Sequence, residues 1–197
     1  MTFLEIIATI TGIISVWFVV RQNIWCYPFG IISVTIYIYI FFNVKLYADM
    51  GLQVAFIILQ AYGWYVWLFG GKNKTELIVT YASRSTNVIV IFAVMVSSYS
   101  LGKFLKTNTD AALPFWDSTM TSLSLAGQYL MAKKNIENWF YWIVVNIISI
   151  GMYIVKDLYV TTILYSVYFV LAIIGLIEWK KEFELINKPL KTETIPT

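Results

Sequence analysis

Polar and aromatic residues recur on single helical faces inside the long apolar stretches of this chain. Gln53, Gln60, Trp64 and Trp67 follow one another at spacings of 7, 4 and 3, which puts them on one side of a helix. Thr121, Ser124 and Gln128 repeat the i, i+3, i+7 pattern. Trp139, Trp142 and Asn146 are spaced by 3 and 4, and Tyr165 and Tyr168 stand three apart. A polar side chain within a membrane span costs free energy unless it finds a partner or a cavity. Together these faces offer flat aromatic surfaces beside uncharged amides, which suits a flat heterocycle. Rings stack on such a wall, and a cationic ring gains ~0.5–2 kcal/mol per aromatic contact. Gln and Asn supply donors and acceptors to hydroxyl or carboxamide groups. The sequence has no Gly-rich phosphate loop and no Arg inside a span, so a phosphorylated ligand is disfavoured.

The same residue types have structural uses. Trp and Tyr concentrate at membrane interfaces as anchors, and Trp25 and Trp179 read as anchors because no polar residue shares their faces at close spacing. Gln and Asn also bond neighbouring spans together. Glu5 and Asp117 stand at corresponding span starts, where a carboxylate is favoured by the helix dipole.

The elements that must position these faces are membrane helices. The 197 residues are 59% hydrophobic and only 13% charged, with mean hydropathy +0.73; a soluble domain carries nearly twice that share of charge. A span needs roughly 20 apolar residues. Seven stretches approach that length: Phe3–Val20, Tyr27–Phe42, Met50–Phe69, Thr86–Leu101, Asp117–Ala132, Trp139–Val155 and Thr161–Trp179. No strand alternation suggests a β-barrel. The first stretch lacks a basic leader and a small-residue cleavage site, and reads as a permanent span. Cys26 is the one cysteine, so an internal disulfide is excluded, and the lack of His removes imidazole metal sites and His-based triads. Convergent ionisable groups inside the spans are also lacking, so no enzyme is expected.

The basic residues divide unequally between the two sides of this arrangement. Lys45, Lys103, Lys106 and Lys156 fall on the side of the N-terminus. Arg21, Lys72, Lys74, Arg84, Lys133, Lys134, Lys180, Lys181, Lys188 and Lys191 fall on the other. Four against ten puts the N-terminus outside and the C-terminus in the cytoplasm. Scattered over short loops, these residues form no nucleic-acid surface.

A spacing of 112 relates the two ends of the chain without a gap. It takes Glu5 to Asp117, Arg21 to Lys133, Asn23 to Asn135, Leu46-Tyr47 to Leu158-Tyr159, Gly63 to Gly175 and Trp67 to Trp179. The expected fold is all-α and integral to the membrane: two parallel three-helix bundles joined by a linker helix (3+1+3). Residues 3–70 form the first repeat, 71–115 the linker with the fourth span, 116–180 the second repeat and 181–197 a polar cytoplasmic tail. SWEET-type sugar transporters use that plan and bind substrate between the halves. The repeats have diverged at Pro28 and Phe140, Gly30 and Trp142, and Lys45 and Asp157, so the halves contribute unequally to a site.

The run from Gln128 to Asn146, with its WxxWxxxN pattern at Trp139, Trp142 and Asn146, resembles the PnuC family of bacterial nicotinamide riboside transporters. So do the stretches from Lys156 to Tyr168 and from Gln60 to Trp67. The resemblance covers about Glu5 to Trp179. It implies a seven-span, multi-pass protein of the bacterial inner membrane that assembles as a homotrimer and uses no cofactor. It implies facilitated diffusion of an unphosphorylated vitamin, trapped afterwards by a cytoplasmic kinase. Carried over by position, Gln128, Trp139, Trp142 and Asn146 contact the substrate, with Gln60, Trp64, Trp67, Ser124 and Tyr165 as further wall residues. Nicotinamide riboside is the expected substrate. Thiamine, taken by a branch termed PnuT, or riboflavin is the alternative within the family. A SWEET-like sugar facilitator is the alternative outside it, though of the prolines its repeats would share only Pro28 is present.

Overall fold

The computed structural model describes residues 3–43, 47–109, 113–155 and 157–188. Lys45, Leu46, Asp110, Lys156, Lys191 and the tail beyond 188 lie outside the described residues. Seven α-helices are present among those described: α1 Phe3–Val20, α2 Cys26–Asn43, α3 Tyr47–Phe69, α4 Arg84–Asn108, α5 Pro114–Ala132, α6 Asn138–Val155 and α7 Tyr159–Ile186. Pro28 falls in the first turn of α2, where its missing N–H costs no helical bond. Helix α4 runs past the expected Thr86–Leu101 in both directions. Ser83 caps it, its hydroxyl accepting the Thr86 N–H, and it holds no Pro and runs through Gly102 to Asn108. Helix α7 likewise continues beyond Trp179 to Ile186.

Six of the seven are long and apolar enough to cross a membrane. The exception, α5, carries Asp117, Thr121, Ser124 and Gln128. It is also the helix with the most buried residues and packs against α3, α4 and α6, so its polar groups meet protein rather than lipid. The remaining contacts close a ring. Helix α1 touches α2, α2 touches α3, α3 touches α5, α5 touches α6, α6 touches α7 and α7 returns to α1, while α4 lies outside against α5. In this ring α2 and α6 stand opposite each other, three steps apart in either direction.

Equivalent details recur 112 residues apart. Helix α6 begins and ends 112 residues after α2, and α7 begins 112 after α3. The turns between helices repeat as well. Gln22 and Lys134 both adopt a left-handed backbone, with φ of 54° and 51°. The Asn23 N–H donates to the Phe18 carbonyl and the Asn135 N–H to that of Leu130.

The core sits at the end of the ring where α1 finishes. The Trp67 Nε1–H donates to the Met131 carbonyl at 3.1 Å and the Trp179 Nε1–H to the Val19 carbonyl at 3.0 Å. Tyr27 meets Trp67 edge-on with centroids 5.2 Å apart, and Trp139 meets Trp179 edge-on at 5.4 Å. A Cβ on Gly63 would fall 2.5 Å from the Tyr27 hydroxyl, and one on Gly175 would collide with the Trp139 ring. Each pair maps onto the other by the same spacing. Trp179 is fully buried here, which corrects its reading as an interface anchor. Its equivalence to Trp67 by the spacing of 112 is the sequence signal that points to this burial. Trp25, 58% exposed, has no such packing.

An extended segment crosses this end of the ring. The Thr80 N–H donates to the Lys134 carbonyl, and the Ile136 N–H to that of Thr80. The Ala82 N–H is held by the Glu137 carboxylate. Val79 on this segment is buried in the tryptophan cluster.

Candidate substrate site

The ring encloses a cavity of about 800 Å³, within the ~300–1,000 Å³ typical of small-molecule sites. At one end it reaches Asp49 on α3, Asp117 on α5 and Tyr153 on α6. At the other it reaches Val19, Tyr27, Met131 and Trp139, which belong to the tryptophan-rich core or pack on it. Helix α4 adds Leu101 and Leu105, and its C-cap Thr109 follows, near the acidic end. Among the described residues Lys and Arg are missing from the lining, which carries two carboxylates instead.

Seven of the nine expected site residues line this space: Gln60, Ser124, Gln128, Trp139, Trp142, Asn146 and Tyr165. Helix periodicity explains why they gather. Ser124 and Gln128 turn one face of α5 inward, and Trp139, Trp142 and Asn146 do the same on α6. Trp64 and Trp67 do not line the cavity. Trp67 is buried in the core with its N–H bonded to Met131. Trp64 is part-exposed and stacks on Tyr27, with ring planes 6° apart. They share a helical face with Gln60, but the cavity follows α3 only as far as Gln60, and below that point the face meets the tryptophan core.

Several wall residues escaped the sequence reading. Tyr27, Ser15 and Tyr37 line the cavity, yet none stands in a polar pattern on its own helix. Tyr27 was recoverable as the residue 112 before Trp139. Tyr153 and Tyr165 are in ring contact at 5.2 Å, and Tyr165 meets Tyr168 edge-on at 6.2 Å. These three and Tyr37, whose hydroxyl bonds Thr9 at 3.3 Å, form a tyrosine-rich belt in the wall.

Buried polar atoms are nearly always bonded. Three lining residues depart from that rule: Tyr27 Oη, Gln128 Nε2 and Trp139 Nε1 have no hydrogen-bond partner. All three can donate. All three atoms are enclosed by protein, and the wall around them combines indole rings, amides and nearby carboxylates, a set that fits a flat cation bearing hydroxyl or carbonyl oxygens. No group of three or more His, Cys, Asp or Glu suited to a metal occurs among the described residues. Cys26 is buried in the wall as a free thiol.

Known proteins resemble this chain in sequence and shape. The profile of the nicotinamide mononucleotide transporter family matches residues 2–181. The nicotinamide riboside transporter PnuC of Escherichia coli (strain K12) is 29% identical over 204 residues, covering 91% of this chain and 85% of its own length. That of Neisseria mucosa is also 29% identical, covering 91% and 73%. The crystal structure of the vitamin B3 transporter PnuC superimposes with a TM-score of 0.74 at 29% identity, over 93% of this chain and 83% of that one.

Proposed function

The chain belongs to the nicotinamide mononucleotide transporter family, and from that premise we propose that it carries nicotinamide riboside across the bacterial inner membrane by facilitated diffusion. The observation that carries this reading is the charge of the cavity wall. Among the described residues Asp49 and Asp117 line it and no Lys or Arg does. A mononucleotide brings a phosphate that needs a cationic grip, and the described wall offers no basic side chain. The riboside is a pyridinium cation with a carboxamide and a ribose. Its ring suits Trp139 and Trp142, and its oxygens suit the amides of Gln128 and Asn146.

Seven spans in a 3+1+3 plan go with this reading, α5 being the seventh and α4 the linker that lets the second bundle repeat the orientation of the first. The N-terminus faces outward on the count of basic residues, so the acidic end of the cavity meets the incoming cation and the tryptophan core closes the cytoplasmic end. The protein works as a homotrimer, and a cytoplasmic kinase retains the substrate by phosphorylating it.

Uptake into proteoliposomes tests the proposal, with nicotinamide riboside, its mononucleotide and thiamine supplied in turn. Saturable uptake of the riboside that the mononucleotide neither matches nor inhibits is expected. Preference for the mononucleotide would refute the charge argument, and preference for thiamine would move the protein to another substrate within the same scaffold.

A further inference from the structure

Ser15, Gly30 and Gln60, on α1, α2 and α3, meet at one point of the cavity wall. A Cβ on Gly30 would collide with Gln60 Oε1 and fall 2.9 Å from the Ser15 hydroxyl oxygen. The residues 112 further on are Gly127, Trp142 and Ala172, on α5, α6 and α7. There a Cβ on Gly127 would fall 3.3 Å from both Cε2 and Nε1 of Trp142. Each triad therefore fills its space with one large side chain, drawn from a different helix. In one half Gln60 occupies the room that Gly30 leaves. In the other Trp142 occupies the room that Gly127 leaves. Gln60 on α3 and Trp142 on α6 thus line the same cavity from different halves of the chain.

Gly30 has no backbone reason to be glycine. It lies within α2, and none of the described glycines has positive φ. A glycine inside a helix costs ~1 kcal/mol against alanine, so its use here points to the close approach of Gln60. Small residues also let membrane helices pack tightly, and that plainer role is what an experiment must separate.

We infer that Gly30 is a positioning residue that seats the Gln60 amide to recognise the hydroxyl-bearing half of the substrate, while Trp142 from the other half of the chain takes the ring. This rests on the proposed function above. It makes the ribose side of the cavity, and not only its aromatic side, a determinant of specificity.

A double-mutant cycle on the purified full-length protein tests it, with Gly30→Ala, Gln60→Ala and the pair. Two readouts are taken: thermal unfolding, and affinity for nicotinamide riboside beside N1-methylnicotinamide, a pyridinium that lacks ribose. Gly30→Ala and Gln60→Ala are each expected to weaken riboside binding by about tenfold, the size of one lost hydrogen-bonded contact. The pair is expected to be no weaker than Gln60→Ala alone, because once the amide is gone the added methyl has nothing to displace. Binding of N1-methylnicotinamide should not change. In unfolding, Gln60→Ala should rescue the loss caused by Gly30→Ala. Losses that simply multiply would overturn the inference, since Gly30 would then act through helix packing. An equal loss for both ligands would overturn it too. A parent protein that binds neither pyridinium would sink the functional reading and the role of Gln60 in it, and the unfolding cycle would still show whether Gly30 makes room for that amide.

Discussion

Replacing Trp142 by Leu measures what the indole contributes to holding a cation. The site is a clean one. Trp142 is half-buried in the cavity wall, with one ring edge against Gly127, and it lies outside the buried tryptophan cluster, to which it is only a flanking residue. Trp139, by contrast, is 2% exposed and packed on Gly175, so truncating it would cost ~3–5 kcal/mol of core packing and confuse binding with folding. Leucine keeps an apolar group at 142 and removes the π face. A desolvated cation over indole is worth ~2 kcal/mol. At about 1.4 kcal/mol per decade, the Leu variant should bind nicotinamide riboside roughly 30-fold more weakly. Phe keeps a ring with a weaker quadrupole and should fall between the two. The uncharged dihydropyridine form of the same riboside should lose much less than the cation does. Titration calorimetry on detergent-purified protein gives the affinities, and thermal unfolding confirms that each variant is folded. A folded Leu variant that binds the cation as tightly as the parent would refute the assignment of Trp142 to the ring. Equal losses for the charged and neutral forms would refute the cation–π argument while leaving stacking intact.

Trp67→Phe and Trp179→Phe each remove one indole N–H bond to a helix-end carbonyl that also accepts a backbone N–H. Each should lower stability by ~0.5–1.5 kcal/mol, and clearly unequal thermal losses would contradict the equivalence of the two positions. Asp49→Asn combined with Asp117→Asn should slow uptake of the pyridinium cation at low salt by on the order of tenfold, and flatten its dependence on ionic strength. Uptake kinetics that keep the parent's salt dependence would show that these carboxylates do not attract the substrate. Lys134 donates to the Leu77 carbonyl and lies over the Trp67 ring, and burial holds its ammonium below the usual lysine range despite the opposing pull of Glu76. The unfolded chain therefore binds its proton more tightly. The stability of the parent relative to Lys134→Met should rise as pH climbs towards 10.5, the ordinary lysine value, and fall as pH drops through the depressed native value. A difference that is flat with pH in paired unfolding measurements would contradict the burial argument.

The helices and most of the polar wall were legible because both follow from periodicity. Apolar runs set the helices, and the faces at Ser124 and Gln128 and at Trp139, Trp142 and Asn146 needed only the 3.6-residue turn. Two things were not legible in that way. How far a face extends along the cavity depends on where neighbouring helices close, so Trp64 and Trp67 share the face of Gln60 without sharing its surroundings. Single residues on otherwise apolar faces, such as Tyr27 and Ser15, carry no pattern of their own and reach the site only through tertiary placement. The spacing of 112 held more than a face-by-face reading drew from it. It pairs Tyr27 with Trp139, and Trp179 with Trp67, and so contradicts an interface role for Trp179.

Where that spacing preserves chemistry and where it does not follows from what each region must do. Helix contacts pass between the first three helices and the last three at two seams, α3 with α5 and α1 with α7. Each seam carries one of the two equivalent indole bonds, Trp67 to Met131 and Trp179 to Val19. Closing a ring from two similar units requires the same bond twice, so the residues that form it and the glycines that make room beside it recur. The cavity has the opposite requirement. A substrate with a flat cationic ring at one end and hydroxyls at the other has no twofold symmetry, and a symmetric wall would hold each end with the wrong chemistry. Position by position the wall departs from equivalence: Val16 against Gln128, Val34 against Asn146, Gly30 against Trp142, and Gln60 against Ala172. Most of these exchanges set an apolar or very small side chain against a large polar or aromatic one, so each half keeps room for its helices to pack while the chemistry moves to the other side. Transplanting one half's triad into the other should therefore spare the fold and abolish discrimination between the ends of the substrate, a separation that uniform weakening of the core would not produce.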